Sequence, residues 1–128
     1  MPATDRTPLV SIRDLHVALP PGAERRHAVE AVSFDLHAGE ILCVVGESGS
    51  GKSLTAAAVM RLLPGGTART QGSIRFDGRE LLDLSDEEMR RIRGRHIAMI
   101  FQEPMTSLNP VLKIGLQIME PLTIHLEM

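Results

Sequence analysis

A chain of 128 residues is long enough for one domain, and its 14 basic and 16 acidic side chains nearly balance. The formal net charge of -2 means that the chain has no overall positive field. Such a field would be needed to attract nucleic acid or an acidic membrane without a specific site. The single cysteine excludes an internal disulfide. Residues 1–8 contain no apolar leader, and no stretch approaches the roughly eighteen apolar residues of a membrane span. We therefore expect an intracellular chain that does not itself cross a membrane.

Two segments near the start alternate apolar and polar residues, which is the pattern of half-exposed antiparallel strands. They cover residues 9–17 and 32–37, and the intervening prolines and charges at 20–26 predict a surface loop. A tight turn at 38–40 then leads into residues 41–45, a continuous aliphatic run. Such a run predicts a strand that is buried on both faces.

The segment after this run matches the pattern G-x-x-x-x-G-K-[ST], and residues 52–62 after it are predicted to form a helix. A simple turn between strand and helix does not require Lys-Ser directly after the second fixed glycine. The motif, called the P-loop below, consists of Gly46, Glu47, Ser48, Gly49, Ser50, Gly51, Lys52 and Ser53.

The residue types of the P-loop suit a bound nucleotide. Its three glycines allow a tight curl in which successive N–H groups converge on phosphate oxygens, and the helix adds the positive end of its dipole. Lys52 is expected to reach the β- and γ-phosphates, while the hydroxyl of Ser53 joins the oxygen ligands of Mg²⁺. The sequence therefore predicts that this chain binds a nucleotide polyphosphate.

The second half of the chain shows four more elements. Pro64, Gly65 and Gly66 should end the first helix, a strand at 72–76 runs into an Asp-Gly turn, and Ser85 with Glu88 forms a capping box. The helix opened by this capping box should extend to about Arg93. A second apolar run, residues 97–101, predicts another buried strand, and an amphipathic helix follows that Pro121 should kink or restart.

This order of elements resembles the nucleotide-binding domain of an ABC transporter. More narrowly, residues 45–53 together with 100–110 are similar to the ATP-binding subunits of dipeptide, oligopeptide and nickel importers. The resemblance implies an α/β fold with a P-loop NTPase core of ABC type, an antiparallel β-subdomain, and ATP with Mg²⁺ as ligands.

The resemblance also assigns roles in the segment after the second apolar run. Gln102 corresponds to the Q-loop glutamine, whose amide oxygen can complete the Mg²⁺ shell and help to place the attacking water. The loop that starts at Glu103 and ends at Pro110 would contact the transmembrane permease subunits. A second nucleotide-binding subunit is the other implied partner, and nucleic acid is not one. The implied location is peripheral, at the cytoplasmic face of the cell membrane.

Two departures from the family pattern affect what this chain is expected to do. No aromatic residue is found near Leu19, where the family often stacks the adenine, so the nucleobase contact is left open. The signature loop, the strand that ends in Asp and the catalytic Glu, and the switch histidine do not occur within residues 1–128. We therefore expect the N-terminal part of such a domain, with no complete catalytic set and no ATP hydrolysis of its own. We also expect uncovered faces on the two apolar runs and poor stability in isolation.

Two alternatives stay open at this point. Another P-loop enzyme, such as a small-molecule kinase or a GTPase, is disfavoured because the sequence has no D-x-x-G or N-K-x-D motif. A noncatalytic nucleotide-binding module would bind ATP without hydrolysis even with its membrane partners present.

Overall fold

The computed structural model describes residues 6–64 and 69–128. The chain divides into two compact units, one up to Leu84 and one from Ser85 onwards, which are treated separately below. Gly65 and Gly66, predicted to end the first helix, lie outside the described residues, as do residues 1–5 of the N-terminal segment.

The first unit is built on one antiparallel sheet of four strands in the order β2-β1-β3-β4. Apolar residues of the long strand β1, including Ile12, Leu15 and Val17, are buried, while Arg13 and Asp14 between them are exposed. The predicted antiparallel subdomain is therefore confirmed. The strands are β1 Val10–Ala18, β2 His27–Leu36, β3 Thr70–Phe76 and β4 Arg79–Glu80.

A bulge in β1 requires a glycine, Gly72, in the neighbouring strand β3. The register of β1 with both neighbours shifts after Ile12 and Arg13, where Asp14 adopts a φ of 49°. A Cβ on Gly72 would lie 2.4 Å from the carbonyl oxygen of Asp14. Only glycine therefore allows β3 to approach the bulge.

One ion pair links β1 to β2 on the exposed face of the sheet. The Arg13 guanidinium donates to a carboxylate oxygen of Asp35 at 2.8 Å. This hydrogen bond holds the pKa of Asp35 below its ordinary value and raises the pKa of Arg13.

Helix α1, Lys52–Val59, is shorter than the predicted 52–62. A turn follows it, and Arg61 takes a left-handed φ of 51°, a conformation that cannot continue a helix. The Arg61 guanidinium donates to the carbonyl oxygens of Leu84 at 2.5 Å and Leu81 at 3.3 Å. Hydrogen bonds from Arg61 thus stabilise a helix end that lies before the proline and glycines predicted to stop the helix.

The predicted strand at residues 41–45 is not formed, so this prediction is wrong for the structure of this chain. Residues 40–47 have no regular secondary structure, and Ile41 is 94% exposed. A strand needs hydrogen-bonded neighbours, and within residues 6–64 and 69–128 the sheet contains only β1 to β4. The expectation of uncovered apolar faces is confirmed here.

The second predicted buried strand, residues 97–101, is also wrong. Its regular pairing is limited to one parallel bridge between Ile97 and Arg93, and Ile100 is 98% exposed. As for residues 41–45, an apolar run predicts burial only where neighbouring strands and covering helices are present.

The second unit contains two helices, α2 Asp86–Ile92 and α3 Ile114–Leu126. The Ser85 side chain accepts from the backbone N–H of Glu88, whose carboxylate in turn accepts from the N–H of Ser85. The predicted capping box is therefore confirmed. Helix α3 is continuous through Pro121, so it does not restart there, and its apolar side chains are exposed.

Candidate functional site

The first part of the site is a glycine turn at the start of α1. The N–H of Ser50 donates to the carbonyl of Glu47 at 3.1 Å, and Gly49 and Gly51 have φ values of 79° and 97°. Both values lie in the left-handed region that residues with a Cβ rarely adopt. Gly51 is also the N-cap of α1, so the turn leads directly into the helix N-terminus.

Gly51 is constrained by its surroundings as well as by its backbone. A Cβ at this position would lie 2.5 Å from the carbonyl oxygen of Ala28 and 3.0 Å from Val29 Cγ2. Both neighbours belong to β2, so the strand packs directly against the turn. A Cβ on Gly46 would meet the hydroxyl of Ser50 at 2.6 Å, but that side chain can rotate away.

The ammonium of Lys52 is enclosed by the curl of the loop. Its Nζ donates to the carbonyl oxygens of Gly46 and Glu47, each at 2.6 Å, and to Ser50 Oγ at 3.2 Å. One turn further along α1, the buried hydroxyl of Thr55 donates to the carbonyl of Gly51 at 2.9 Å. The positive charge is thus held where the motif predicts the phosphates to lie.

A cleft of about 670 Å³ lies beside this loop. One end is formed by the P-loop, and the other walls come from β2 and from the loop that joins β1 to β2. Its lining residues are Arg25, Arg26, His27, Ala28, Val29, Glu30, Val32, Phe34, Val44, Val45, Gly46, Ser50, Gly51, Lys52 and Thr55.

Arg25 is a site residue that the sequence interpretation missed. Its guanidinium donates to the carbonyl oxygen of Gly49 at 2.6 Å, across 24 positions of the chain. From sequence, residues 24–26 indicated only a charged surface loop. No local signal identifies this contact, because it depends on β2 bringing the β1–β2 loop alongside the P-loop.

Leu19, at the expected nucleobase position, is the first residue after β1. Its N–H donates to the carbonyl of Arg26 at 2.8 Å and closes the β1–β2 loop. The loop therefore contributes Arg25 and Arg26 to the lining of the cleft, whereas the phenylalanine of that lining, Phe34, belongs to β2.

The two predicted Mg²⁺ contacts lie in different units. Ser53 is exposed on the first turn of α1, and Gln102 is exposed in the second unit. Over residues 6–64 and 69–128, no three His, Cys, Asp or Glu side chains group in a way that could hold a metal ion. A single hydroxyl beside a phosphate-binding loop fits Mg²⁺, which takes few protein ligands and keeps water and phosphate oxygens. The shared role of Ser53 and Gln102 stays a prediction.

The loop from Glu103 to Pro110 is an ordered part of the second unit. It begins with a short 3₁₀ turn, Pro104–Thr106. Gln117 of α3 accepts from the N–H of Asn109 at 2.7 Å and donates to the carbonyls of Asn109 at 3.0 Å and Leu112 at 3.1 Å. The loop is thus fixed to α3 and borders a surface cleft of about 610 Å³.

The sequence profile of the family described as ABC transporter matches residues 29–120 of this chain. The chain belongs to the ABC transporter family. The matched residues include both the P-loop and Gln102.

Two curated relatives are ATP-binding proteins named for peptidoglycan or dipeptide transport. The peptidoglycan transport ATP-binding protein YejF of Agrobacterium fabrum is 51% identical over 98% of this chain and 23% of the relative. The dipeptide transport ATP-binding protein DppD of Bacillus subtilis is 49% identical over 94% of this chain and 36% of the relative. The chain thus spans about a quarter to a third of the length of these relatives.

Solved structures of one ABC cassette share the fold. The dimeric structure of MJ0796, a bacterial ABC transporter cassette, has a TM-score of 0.75 and 27% identity over 90% of this chain and 47% of that one. A second structure of MJ0796, bound to ADP and Pi, has a TM-score of 0.71 and 26% identity over the same shares. The predicted α/β fold of ABC type is confirmed. Among the described residues of this chain, no helix has the length and apolarity needed to cross a membrane.

Proposed function

We propose that this chain is the ATP-binding, N-terminal part of a nucleotide-binding subunit of a peptide-type ABC importer. The observation that carries the proposal is the position of Lys52, whose ammonium lies inside a glycine turn that opens onto a cleft. The names of YejF and DppD support ATP as the nucleotide, and the name of DppD supports peptides as the class of cargo.

Within this proposal, the P-loop binds the triphosphate through its backbone N–H groups and the N-terminus of α1. Lys52 exchanges the carbonyls of Gly46 and Glu47 for phosphate oxygens, which are stronger acceptors because they are charged. Ser53 ligates Mg²⁺, and Gln102 completes the ion's oxygen shell. Mg²⁺ neutralises part of the phosphate charge when it is bound.

The proposed partners are transmembrane permease subunits and a second nucleotide-binding subunit. The loop from Glu103 to Pro110 supports a permease contact because it is ordered by Gln117 while its Met105 side chain is 92% exposed. The dimer of MJ0796 supports pairing with a second subunit. With these partners, the chain would lie peripherally at the cytoplasmic face of the membrane.

The decisive test compares the two lysines of the sequence. We expect Lys52→Ala to weaken ATP binding in the presence of Mg²⁺ by about tenfold to a hundredfold, because a hydrogen bond to a charged group is lost. Lys113→Ala is the matched control, since Lys113 precedes α3 in the other unit. Isothermal titration of the full 128-residue chain measures both affinities. Equal affinities in the two variants would contradict the proposal.

The metal part of the proposal is tested in the same titration with and without chelator. Ser53→Ala and Gln102→Ala should each reduce the gain in ATP affinity that Mg²⁺ provides, while binding without Mg²⁺ stays at the level of the unsubstituted chain. If Mg²⁺ raises the ATP affinity of both variants as much as that of the unsubstituted chain, Ser53 and Gln102 do not act as Mg²⁺ ligands. Phosphate release, followed in parallel, should stay at background for the chain alone.

A further inference from the structure

Arg25 is the second cation that the structure brings to the P-loop. Arg25 lines the cleft and its guanidinium donates to the carbonyl of Gly49 at 2.6 Å, while Lys52 donates to the carbonyls of Gly46 and Glu47. Both side chains therefore place a full positive charge on neutral backbone oxygens of the same loop.

The backbone on either side of Arg25 is held in place. The carbonyl of the next residue, Arg26, accepts from Leu19 and closes the β1–β2 loop, and β2 begins at His27. One residue further on, Ala28 lies against Gly51 so closely that no Cβ fits between them. The start of β2 thus fixes the distance between the Arg25 backbone and the P-loop.

The charges around the cleft favour a polyanion. Its lining contains three permanent cations, Arg25, Arg26 and Lys52, but only one carboxylate, that of Glu30. This local excess contrasts with the net charge of -2 for the chain. A guanidinium can also donate two parallel hydrogen bonds to one phosphate, which a carbonyl oxygen cannot match as an acceptor.

We propose that Arg25 binds the phosphates of the nucleotide directly, as a second cation beside Lys52. This inference rests on the proposed function, because it assumes that a polyphosphate occupies the P-loop. On binding, the guanidinium leaves the carbonyl of Gly49 for a phosphate oxygen. The hydrogen bond seen in the structure keeps the side chain within reach of that oxygen.

The test measures the affinities of ATP and of inorganic tripolyphosphate for the full chain at several salt concentrations. We expect Arg25→Gln to weaken both ligands about tenfold and to make binding less dependent on salt. Arg25→Lys keeps the charge but loses the two parallel hydrogen bonds of the guanidinium, so its affinity should fall between those of Arg25→Gln and the unsubstituted chain. Arg26→Gln is the matched control, because it removes the same charge from the neighbouring position, and should have a smaller effect.

Each outcome separates the possible roles of Arg25. Equal losses of affinity in Arg25→Gln and Arg26→Gln would show that only the overall positive charge of the loop matters, and would overturn the inference. A loss for ATP with tripolyphosphate unchanged would place Arg25 on the nucleoside and also overturn it. If Arg25→Gln binds both ligands as tightly as Arg25→Lys does, the charge at this position is not needed, and Arg25 only holds the Gly49 carbonyl in place. If the unsubstituted chain binds neither ligand, the proposed function fails too, whereas normal binding by Arg25→Gln removes this inference alone.

Discussion

At the scale of single residues, Gly51 joins the antiparallel sheet to the P-loop. Gly51 is the N-cap of α1 and has a φ of 97°. Because it has no side chain, the carbonyl of Ala28 can lie close to its Cα. The first property requires a residue that tolerates the left-handed region, and the second requires the absence of a Cβ. The motif therefore depends on β2 as well as on its own eight residues.

Gly51→Ala should abolish measurable ATP binding by the full chain. The left-handed backbone costs about 1–2 kcal/mol in alanine, and the new Cβ must push β2 away from the loop. Gly39→Ala is the matched control, because its φ of 78° is equally strained but its surroundings are open. Calorimetric titration of the two variants checks the difference, and retained affinity in Gly51→Ala would contradict this account of the packing.

The glycine turn and the start of α1 could be predicted from sequence because the motif that encodes them is local, whereas nucleotide binding by these residues stays a prediction. Four fixed positions within eight residues encode the turn and the position of Lys52. Arg25 could not be predicted in the same way, because its contact with Gly49 joins segments that only the pairing of β1 with β2 brings together. The roles of Ser53 and Gln102 toward Mg²⁺ stay predictions.

At the scale of elements, the predictions succeeded where the residues that stabilise an element lie close to it in sequence or within the described sheet. Strands β1 and β2 carry an alternating pattern and find their antiparallel partners within the described residues, so both were predictable. The apolar runs at 41–45 and 97–101 join no sheet within the described residues, so the strands predicted from them are not formed. Helix α2 was predictable down to its N-cap, because a capping box lies within four residues.

Ser85→Ala should loosen α2 without affecting the P-loop. Loss of an N-cap costs about 1 kcal/mol, which corresponds to an about fivefold loss of protection from hydrogen exchange. The amides of Met89 and Arg93 report the change, since both donate within or at the ends of this helix. Ser85→Asp, which keeps an acceptor at the N-cap, should retain the protection. Unchanged exchange in Ser85→Ala would show that the capping box does not limit the stability of α2.

At the scale of the whole molecule, the chain exposes an unusual number of large apolar side chains. Ile41 and Val45 are exposed before the P-loop, Ile100 and Phe101 before Gln102, and the residues of α3 are exposed along its length. Monomeric soluble proteins rarely leave such apolar surface in contact with water. The chain spans 47% of the length of the MJ0796 cassette.

We expect the isolated 128-residue chain to self-associate and to lack a cooperative thermal transition as a monomer. Exposed apolar side chains and unpaired apolar segments stabilise aggregates more than they stabilise the monomer. The double variant Ile41→Glu, Ile100→Glu should raise the monomer fraction measured by sedimentation velocity, because it places charges on the two most exposed isoleucines. Ala38→Glu, at an exposed turn, adds a charge without removing apolar surface and should change the monomer fraction much less. A monomeric unsubstituted chain that unfolds in one cooperative step would show that residues 41–45 and 97–101 find cover within this chain.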